Sequence, residues 1–141
     1  MLVAEDNIQI LGWARWVRRE KPLASIKQLD PSAFPASGDQ ATAAHFFQKN
    51  ADATFKHVDG EKHWFLSTIA TEKEAQRRGA GSALMKFGVE RADQEGWMSY
   101  LNSSGEGRGL YEKFGFHVVG TSEFPDLGMV QYHMKREAIE V

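Results

Sequence analysis

The feature that most constrains this chain is a glycine turn set between an apolar strand and a helix. Residues 63–71, from His63 through Trp64, Phe65, Leu66, Thr68 and Ile69 to Thr71, are nearly continuously apolar or β-branched. That is the pattern of a strand covered on both faces. A polar stretch, Glu72-Lys73-Glu74, leads to Gln76-Arg77-Arg78-Gly79-Ala80-Gly81-Ser82. A helix is expected next over residues 82–95, with Leu84, Phe87, Gly88, Arg91 and Ala92 on related turns and Gly96 as its stop. Residues 97–102 read as the following strand. Strand, helix and strand at this spacing make a parallel β-α-β unit, which commits the chain to an α/β sheet.

The flanking segments extend that sheet. Residues 8–17 carry Ile8, Ile10, Leu11, Trp13, Trp16 and Val17 and read as a strand, paired with residues 2–5 as a hairpin across Asp6-Asn7. Three of the four prolines fall within residues 21–37, so an irregular surface connection is expected there. Ser37-Gly38-Asp39-Gln40 has capping-box spacing with Ser37 as the cap, ahead of a helix over residues 41–56 whose apolar side carries Ala44, Phe47 and Ala51. A polar glycine loop (residues 103–109), a short helix (110–114) and strands at 116–120 and 129–135 complete a mixed α/β sheet. No repeat or composition shift divides residues 1–141, so one domain is expected.

A strand that runs through a glycine turn into a helix places the helix's first free N–H groups beside the strand's end. Those amides and the positive end of the helix dipole make an anion site. Gly79 and Gly81 clear the backbone for a phosphate, Arg77 and Arg78 add charge, and Ser82 can donate a hydroxyl. A P-loop would need Gly-Lys-Ser/Thr after the turn, and no lysine stands there. A Rossmann fingerprint would need a third glycine where Leu84 stands. A glycine turn that caps an ordinary helix fits the same residues. The remaining pattern, Gln-x-x-Gly-x-Gly, resembles the acyl-CoA pyrophosphate motif of the GNAT (GCN5-related N-acetyltransferase) superfamily.

The surroundings carry the same resemblance. Ser104-Gly105-Glu106-Gly107-Arg108-Gly109-Leu110-Tyr111-Glu112-Lys113-Phe114-Gly115-Phe116 looks like that family's second motif, a loop followed by Leu-Tyr-Glu-Lys-Xaa-Gly-Phe. Residues 63–71 resemble the strand before its pyrophosphate turn, and Ile10-Leu11-Gly12-Trp13-Ala14-Arg15-Trp16 an earlier strand of fungal-type members. The match runs in order from about residue 8 to residue 136. It implies the GNAT fold, a mixed central sheet in which two parallel strands, here residues 66–71 and 97–102, splay apart around acetyl-CoA. Ile69, Ala70 and Thr71 would offer backbone contacts to pantetheine. Gln76, Arg77, Arg78, Gly79, Ala80, Gly81 and Ser82 would hold the pyrophosphate, and Asn102, Ser104 and Tyr111 would complete the cofactor contacts. An amine would attack the thioester directly in a ternary complex, with Tyr111 protonating the departing thiolate. Direct attack suits a chain without cysteine.

The resemblance departs in two places. Ser67 and Thr68 stand where many relatives carry a carboxylate or histidine base, which leaves Glu72 or, alternatively, His63 to act through water. Relatives also usually carry a strand and one or two helices ahead of the region that here begins at Met1, and those helices wall the acceptor pocket. A truncated chain, a minimal family member and a partner subunit all account for that. An open pocket would expose apolar surface, so a homodimer is an expectation. A non-catalytic acetyl-CoA-binding module is the competing reading. The acceptor, a small-molecule or protein amine, is not encoded in any recognisable subfamily motif.

Composition bounds the partners. A formal charge of −2 gives no support to a nucleic-acid or anionic-membrane partner, since either would favour a clear basic excess. The apolar runs fall short of the ~20 residues of a bilayer span, and acidic Glu5 and Asp6 stand where a signal peptide would be basic. A soluble cytoplasmic protein is expected. His45, His57, His63, His117 and His133 lack metal-ligand spacing, so no metal is expected.

Overall fold

The apolar run at 63–71 becomes the strand around which the sheet is organised. The computed structural model describes residues 2–6, 9–20, 32, 38–71 and 79–139. In chain order the elements are β1 (Leu2–Asp6), β2 (Gln9–Arg19), α1 (Gln40–Val58), β3 (His63–Thr71) and α2 (Ala80–Glu95). They continue with β4 (Met98–Ser103), α3 (Arg108–Lys113), β5 (His117–Phe124), a 3-10 turn (Pro125–Leu127) and β6 (Met129–Arg136). The strands form one sheet in the order β1-β2-β3-β4-β6-β5. β3 and β4 are parallel, and the other neighbours are antiparallel. This is the mixed α/β sheet that the sequence pattern implies.

The parallel pair separates part-way along. Its register runs from His63 opposite Met98 to Leu66 opposite Leu101 and stops there. β3 continues to Thr71 on β2, and β4 continues to Ser103 on β6. The cause is local. Arg15 of β2 faces Thr68 while Trp16 faces Leu66, so Ser67 is an extra residue in β3. A bulge of this kind bends its strand and sharpens the twist. Here it falls one residue after the last β3–β4 pair, and the two strands diverge from that point.

Alternating side chains divide the core between two faces. On one face α2 packs over β1 to β4, and Leu66, Leu84, Met85, Val89, Leu101 and Met134 form a buried cluster with Tyr111 and Phe116. On the other face α1 packs over β4, β5 and β6, where Val58, Met98 and Tyr100 form a smaller cluster. Burying each aliphatic side chain stabilises by about 1.5–3 kcal/mol. Surface ion pairs such as Lys86–Glu90 contribute about 0–1 kcal/mol, so apolar burial outweighs surface pairing in the stability.

Trp16 locks α2 onto the sheet. Its indole N–H donates to the Leu84 carbonyl at 3.1 Å, and its ring lies against Gly88. At the far end of the helix, Glu95 accepts from Arg18 and from the Trp64 indole at 2.9 Å. Arg136 of β6 grips Asp93 with both guanidinium nitrogens, at 2.5 and 3.0 Å, and donates to the Phe114 carbonyl at 2.8 Å. Three strands, β2, β3 and β6, are thereby tied to α2, and β6 also to the end of α3.

Several boundaries differ from the sequence reading. Helix α1 is capped by Asp39 rather than Ser37, which lies outside the described residues. The Asp39 carboxylate accepts from the Thr42 amide at 3.0 Å and from its hydroxyl at 2.6 Å, and a carboxylate satisfies two donors at once. Strand β5 runs on to Phe124 instead of ending at Gly120, because Thr121 to Phe124 find backbone partners in Tyr132 to Met129 across the 3-10 turn.

Gly88 offers a direct test of the Trp16 lock. Alanine in an exposed helix would stabilise by about 1 kcal/mol relative to glycine. A Cβ at Gly88 would instead stand inside the Trp16 indole, and overpacking of this kind costs about 1–3 kcal/mol. Gly88→Ala should therefore lower the midpoint of chemical denaturation, and an unchanged or raised midpoint would contradict the packing.

Candidate active site

The separation of β3 from β4 opens a cleft of about 600 Å³ on the face that carries α2 and α3. Ile69 and Ala70 line it from the free edge of β3, and Gly81 and Ser82 from the first turn of α2. Ser104, Glu106 and Gly107 come from the loop after β4, and Leu110, Tyr111 and Lys113 from α3. Six residues that the sequence reading selected for acyl-CoA contacts therefore share one cleft: Ile69, Ala70, Gly81, Ser82, Ser104 and Tyr111. Thr71 ends β3 at the same opening. Gln76, Arg77, Arg78 and the base candidate Glu72 lie outside the described residues.

One wall of the cleft is the start of helix α2. Gly79 is the N-cap of α2, in a left-handed conformation (φ 79°), and among the described residues no side chain caps the helix. A non-glycine residue there would be strained. Ala80 and Gly81 follow as its first, buried residues. The contrast with α1 is informative, since Asp39 there satisfies the first amides from within the chain. Orphan amides at a helix N-terminus, beside a cleft, suit an anionic ligand.

The opposite wall carries Tyr111. Its ring is buried in the core against Phe116, with centroids 6.4 Å apart, and residues from both sides of it line the cleft. The loop shapes its position: a Cβ on Gly107 would lie 3.0 Å from the ring and 3.4 Å from both the Tyr111 and Ser103 hydroxyls. Burial raises the phenol's pKa above its ordinary value, so the hydroxyl stays protonated at neutral pH. A protonated phenol facing a cleft can act as a general acid.

Two sequence candidates lie elsewhere. The Asn102 side chain does not line the cleft but points to the α1 face. There its Oδ1 accepts from the Tyr100 hydroxyl at 2.9 Å and from His133 Nδ1 at 2.7 Å, and its amide donates to Thr54 at 3.2 Å. The alternation of β4 explains the difference, because Ser103 takes the cleft face. His63 opens β3 at its paired end, opposite Met98, and donates from Nδ1 to the Glu61 carbonyl at 2.9 Å. Ile69 stands six positions further along the strand, roughly 20 Å at the usual rise, which is beyond the reach of one water.

Four lining residues escaped selection: Glu106, Gly107, Leu110 and Lys113. Gly107, Leu110 and Tyr111 stand at i, i+3 and i+4, so the helical period after the loop places them together, and Lys113 brings a cation to the same cleft. That spacing was available in the sequence, but only to a reader who started the helix at Arg108 instead of Leu110.

Comparison with known proteins fixes the family. A family model described as an acetyltransferase (GNAT) domain matches residues 24–138. The chain belongs to the GNAT acetyltransferase family. A Corynebacterium glutamicum structure described as histone acetyltransferase HPA2 and related acetyltransferase is 25% identical over 99% of the chain, with a TM-score of 0.61. The chain covers 64% of that protein's length, so it spans less than the whole of this relative. A mosquito arylalkylamine N-acetyltransferase-like protein is 15% identical, with 95% of the chain and 72% of the relative covered and a TM-score of 0.66. An agmatine N-acetyltransferase is 12% identical, with 94% and 71% covered and a TM-score of 0.69. These last two likenesses are of fold. Among the described residues no helix is long and apolar enough to cross a membrane.

Within this GNAT domain the buried histidines set an acid limit. Burial, the largest cause in each case, lowers the pKa values of His57, His63 and His133, the last to about 4. An unfolded chain binds protons on these groups at ordinary histidine values near 6.5, so between about pH 6.5 and 4 it holds more protons than the native state. The stability they contribute is complete above that window and is lost as pH falls through it. Thermal unfolding midpoints should fall from pH 7 to pH 5, and His133→Gln should flatten that slope. A slope that persists unchanged in the variant would contradict a buried neutral His133.

Proposed function

We propose that this GNAT domain transfers an acetyl group from acetyl-CoA to a primary amine, of a small molecule or a protein, by direct attack within a ternary complex. The observation that carries the reading is the edge of β3 that β4 leaves beyond Leu66, with the glycine-capped start of α2 at one side and a protonated tyrosine at the other. The amides from Gly79 to Ser82 suit the pyrophosphate. The β3 edge at Ile69, Ala70 and Thr71, paired with β2 but not with β4, suits the amides of pantetheine, which need strand-like partners once they leave water. The cleft's lining of Leu110 and Ile69 with a few polar groups suits a long, mostly neutral arm.

Chemistry follows from that placement. The amine attacks the thioester carbonyl and forms the C–N bond, the C–S bond breaks, and Tyr111 gives its proton to the leaving sulfur; the surplus proton on the nitrogen leaves to solvent, from which the Tyr111 phenolate is reprotonated. The chain has no cysteine to form a thioester intermediate, in keeping with a single displacement.

Thiol release from acetyl-CoA, followed across polyamines, aminoglycosides, amino acids and peptides, tests the activity, and calorimetry with acetyl-CoA and ATP tests the ligand. The reading expects acetyl-CoA to bind and at least one amine to release thiol; tight ATP binding without acetyl-CoA binding would overturn it. Tyr111→Phe should lower kcat by about 100-fold, the usual scale for a general acid, with acetyl-CoA affinity nearly unchanged. An unaltered kcat would remove Tyr111 from the proton transfer.

A further inference from the structure

The segment that leaves β4 and opens α3 carries Gly105, Gly107 and Gly109, and the three glycines meet different surroundings. A Cβ at Gly109 would meet nothing within 4 Å, and one at Gly105 would make an ordinary contact with Tyr132 at 3.6 Å. At Gly107 it would stand 3.0 Å from the Tyr111 ring and 3.4 Å from the hydroxyl oxygens of both Tyr111 and Ser103. The backbone at Gly107 does not call for glycine. Its φ of −80° and ψ of −16° lie in the right-handed helical region, which is open to any residue. Helix capping does not call for it either, because Ser or Asp at this N-cap position would satisfy an amide that glycine leaves free. What glycine supplies here is space, and Tyr111 borders that space.

The groups around the space are held in place. Tyr111 belongs to the buried α2 cluster and packs edge-on against Phe116, and close-packed interiors yield little. Ser103 is buried, and its hydroxyl donates to the Ser104 carbonyl at 2.6 Å. The Tyr111 hydroxyl differs from that of Tyr100, which donates to Asn102 at 2.9 Å. Among the described residues nothing bonds the Tyr111 hydroxyl. The enclosed side-chain atoms without a partner are Asn50 Oδ1, His63 Nε2 and Ser99 Oγ. The Tyr111 oxygen is not one of them, so it keeps an opening to the outside, and Gly107 beside it lines the cleft.

We propose that Gly107 is a positioning residue for Tyr111: its lack of a side chain fixes where the phenol sits and leaves the hydroxyl uncovered toward the cleft. The proposal rests on the acetyl-transfer reading above, in which this hydroxyl protonates the leaving sulfur and is reprotonated from solvent. Both proton transfers pass through the one opening. A side chain at position 107 would displace the ring and stand beside its hydroxyl, where the ligand and water have to reach. Proton transfer needs the two heavy atoms within hydrogen-bond distance, so a small displacement is felt in the rate.

Single-turnover thiol formation at saturating acetyl-CoA and amine tests the proposal with Gly107→Ala, Tyr111→Phe and the double variant, and with Gly109→Ala as a control on the same segment. Gly107→Ala should slow the step by about 10-fold, less than the ~100-fold that a full 1 Å misplacement can cost. Its acetyl-CoA affinity should stay within about twofold, because the lost interaction belongs to the transition state. Gly109→Ala should leave the rate unchanged. In the Tyr111→Phe background Gly107→Ala should add no further slowing, because both act through one hydroxyl. Damage to the loop itself would slow both backgrounds equally, and that result would overturn the proposal. So would a Gly107→Ala protein that loses acetyl-CoA binding or fails to fold, or a Tyr111→Phe protein at full rate. An unaltered protein that binds acetyl-CoA but releases thiol with no amine overturns the acetyl-transfer reading and the proposal together. An active protein with an equally active Gly107→Ala variant overturns the proposal alone.

Discussion

Everything distinctive about this molecule depends on the loss of pairing between β3 and β4. A parallel pair in the middle of a sheet would normally hydrogen-bond along its length, and unpaired backbone polar groups are costly to bury. Here the pairing ends at Leu66 and Leu101, and Ser67 bulges at the next position. The strands do not fall apart, because each keeps its outer partner, β2 for β3 and β6 for β4. The bulge thus converts an interior position of the sheet into an exposed backbone edge inside a cleft. A ligand with amide groups of its own is the natural complement to such an edge.

Two faces of one sheet then acquire different chemistry. The α2 face is a conventional apolar core, with Leu84, Met85, Leu101 and Met134 almost fully buried, and it holds Tyr111 rigidly at the cleft. The α1 face is stabilised less by apolar burial than by directional hydrogen bonds through Thr54, Asn102, His133 and Ser122. Such networks lose much when one member goes unsatisfied, so they fix geometry strictly. A structure built this way holds Tyr111 at the cleft on one face and a hydrogen-bonded polar network under α1 on the other.

Much of this was legible in the chain. The apolar run at 63–71 and the glycine turn after it announced a parallel β-α-β unit, and the strand bounds at His63 and Thr71 are those observed. The alternation of β4 was equally available but was not applied to Asn102, which shares a strand with Ser103 and faces the other way. The extension of β5 to Phe124 was hidden because Thr121, Ser122 and Glu123 have no apolar pattern; their strand comes from backbone partners in β6. Ser122 and His133 meet only through a register that no local pattern encodes. Gly88 carried a faint signal as a glycine inside a helix, but the indole that requires it lies 72 residues earlier, by subtraction of 16 from 88, on another strand.

Hydrogen–deuterium exchange with and without acetyl-CoA tests the central claim most directly, since it reports on the backbone groups that the bulge leaves free. Exchange should slow on saturation in two segments, the β3 amides after Leu66 and the first turn of α2 after Gly79, while the paired start of β3 at His63 changes little. Saturation with acetyl-CoA that leaves both segments exchanging as before would contradict the account.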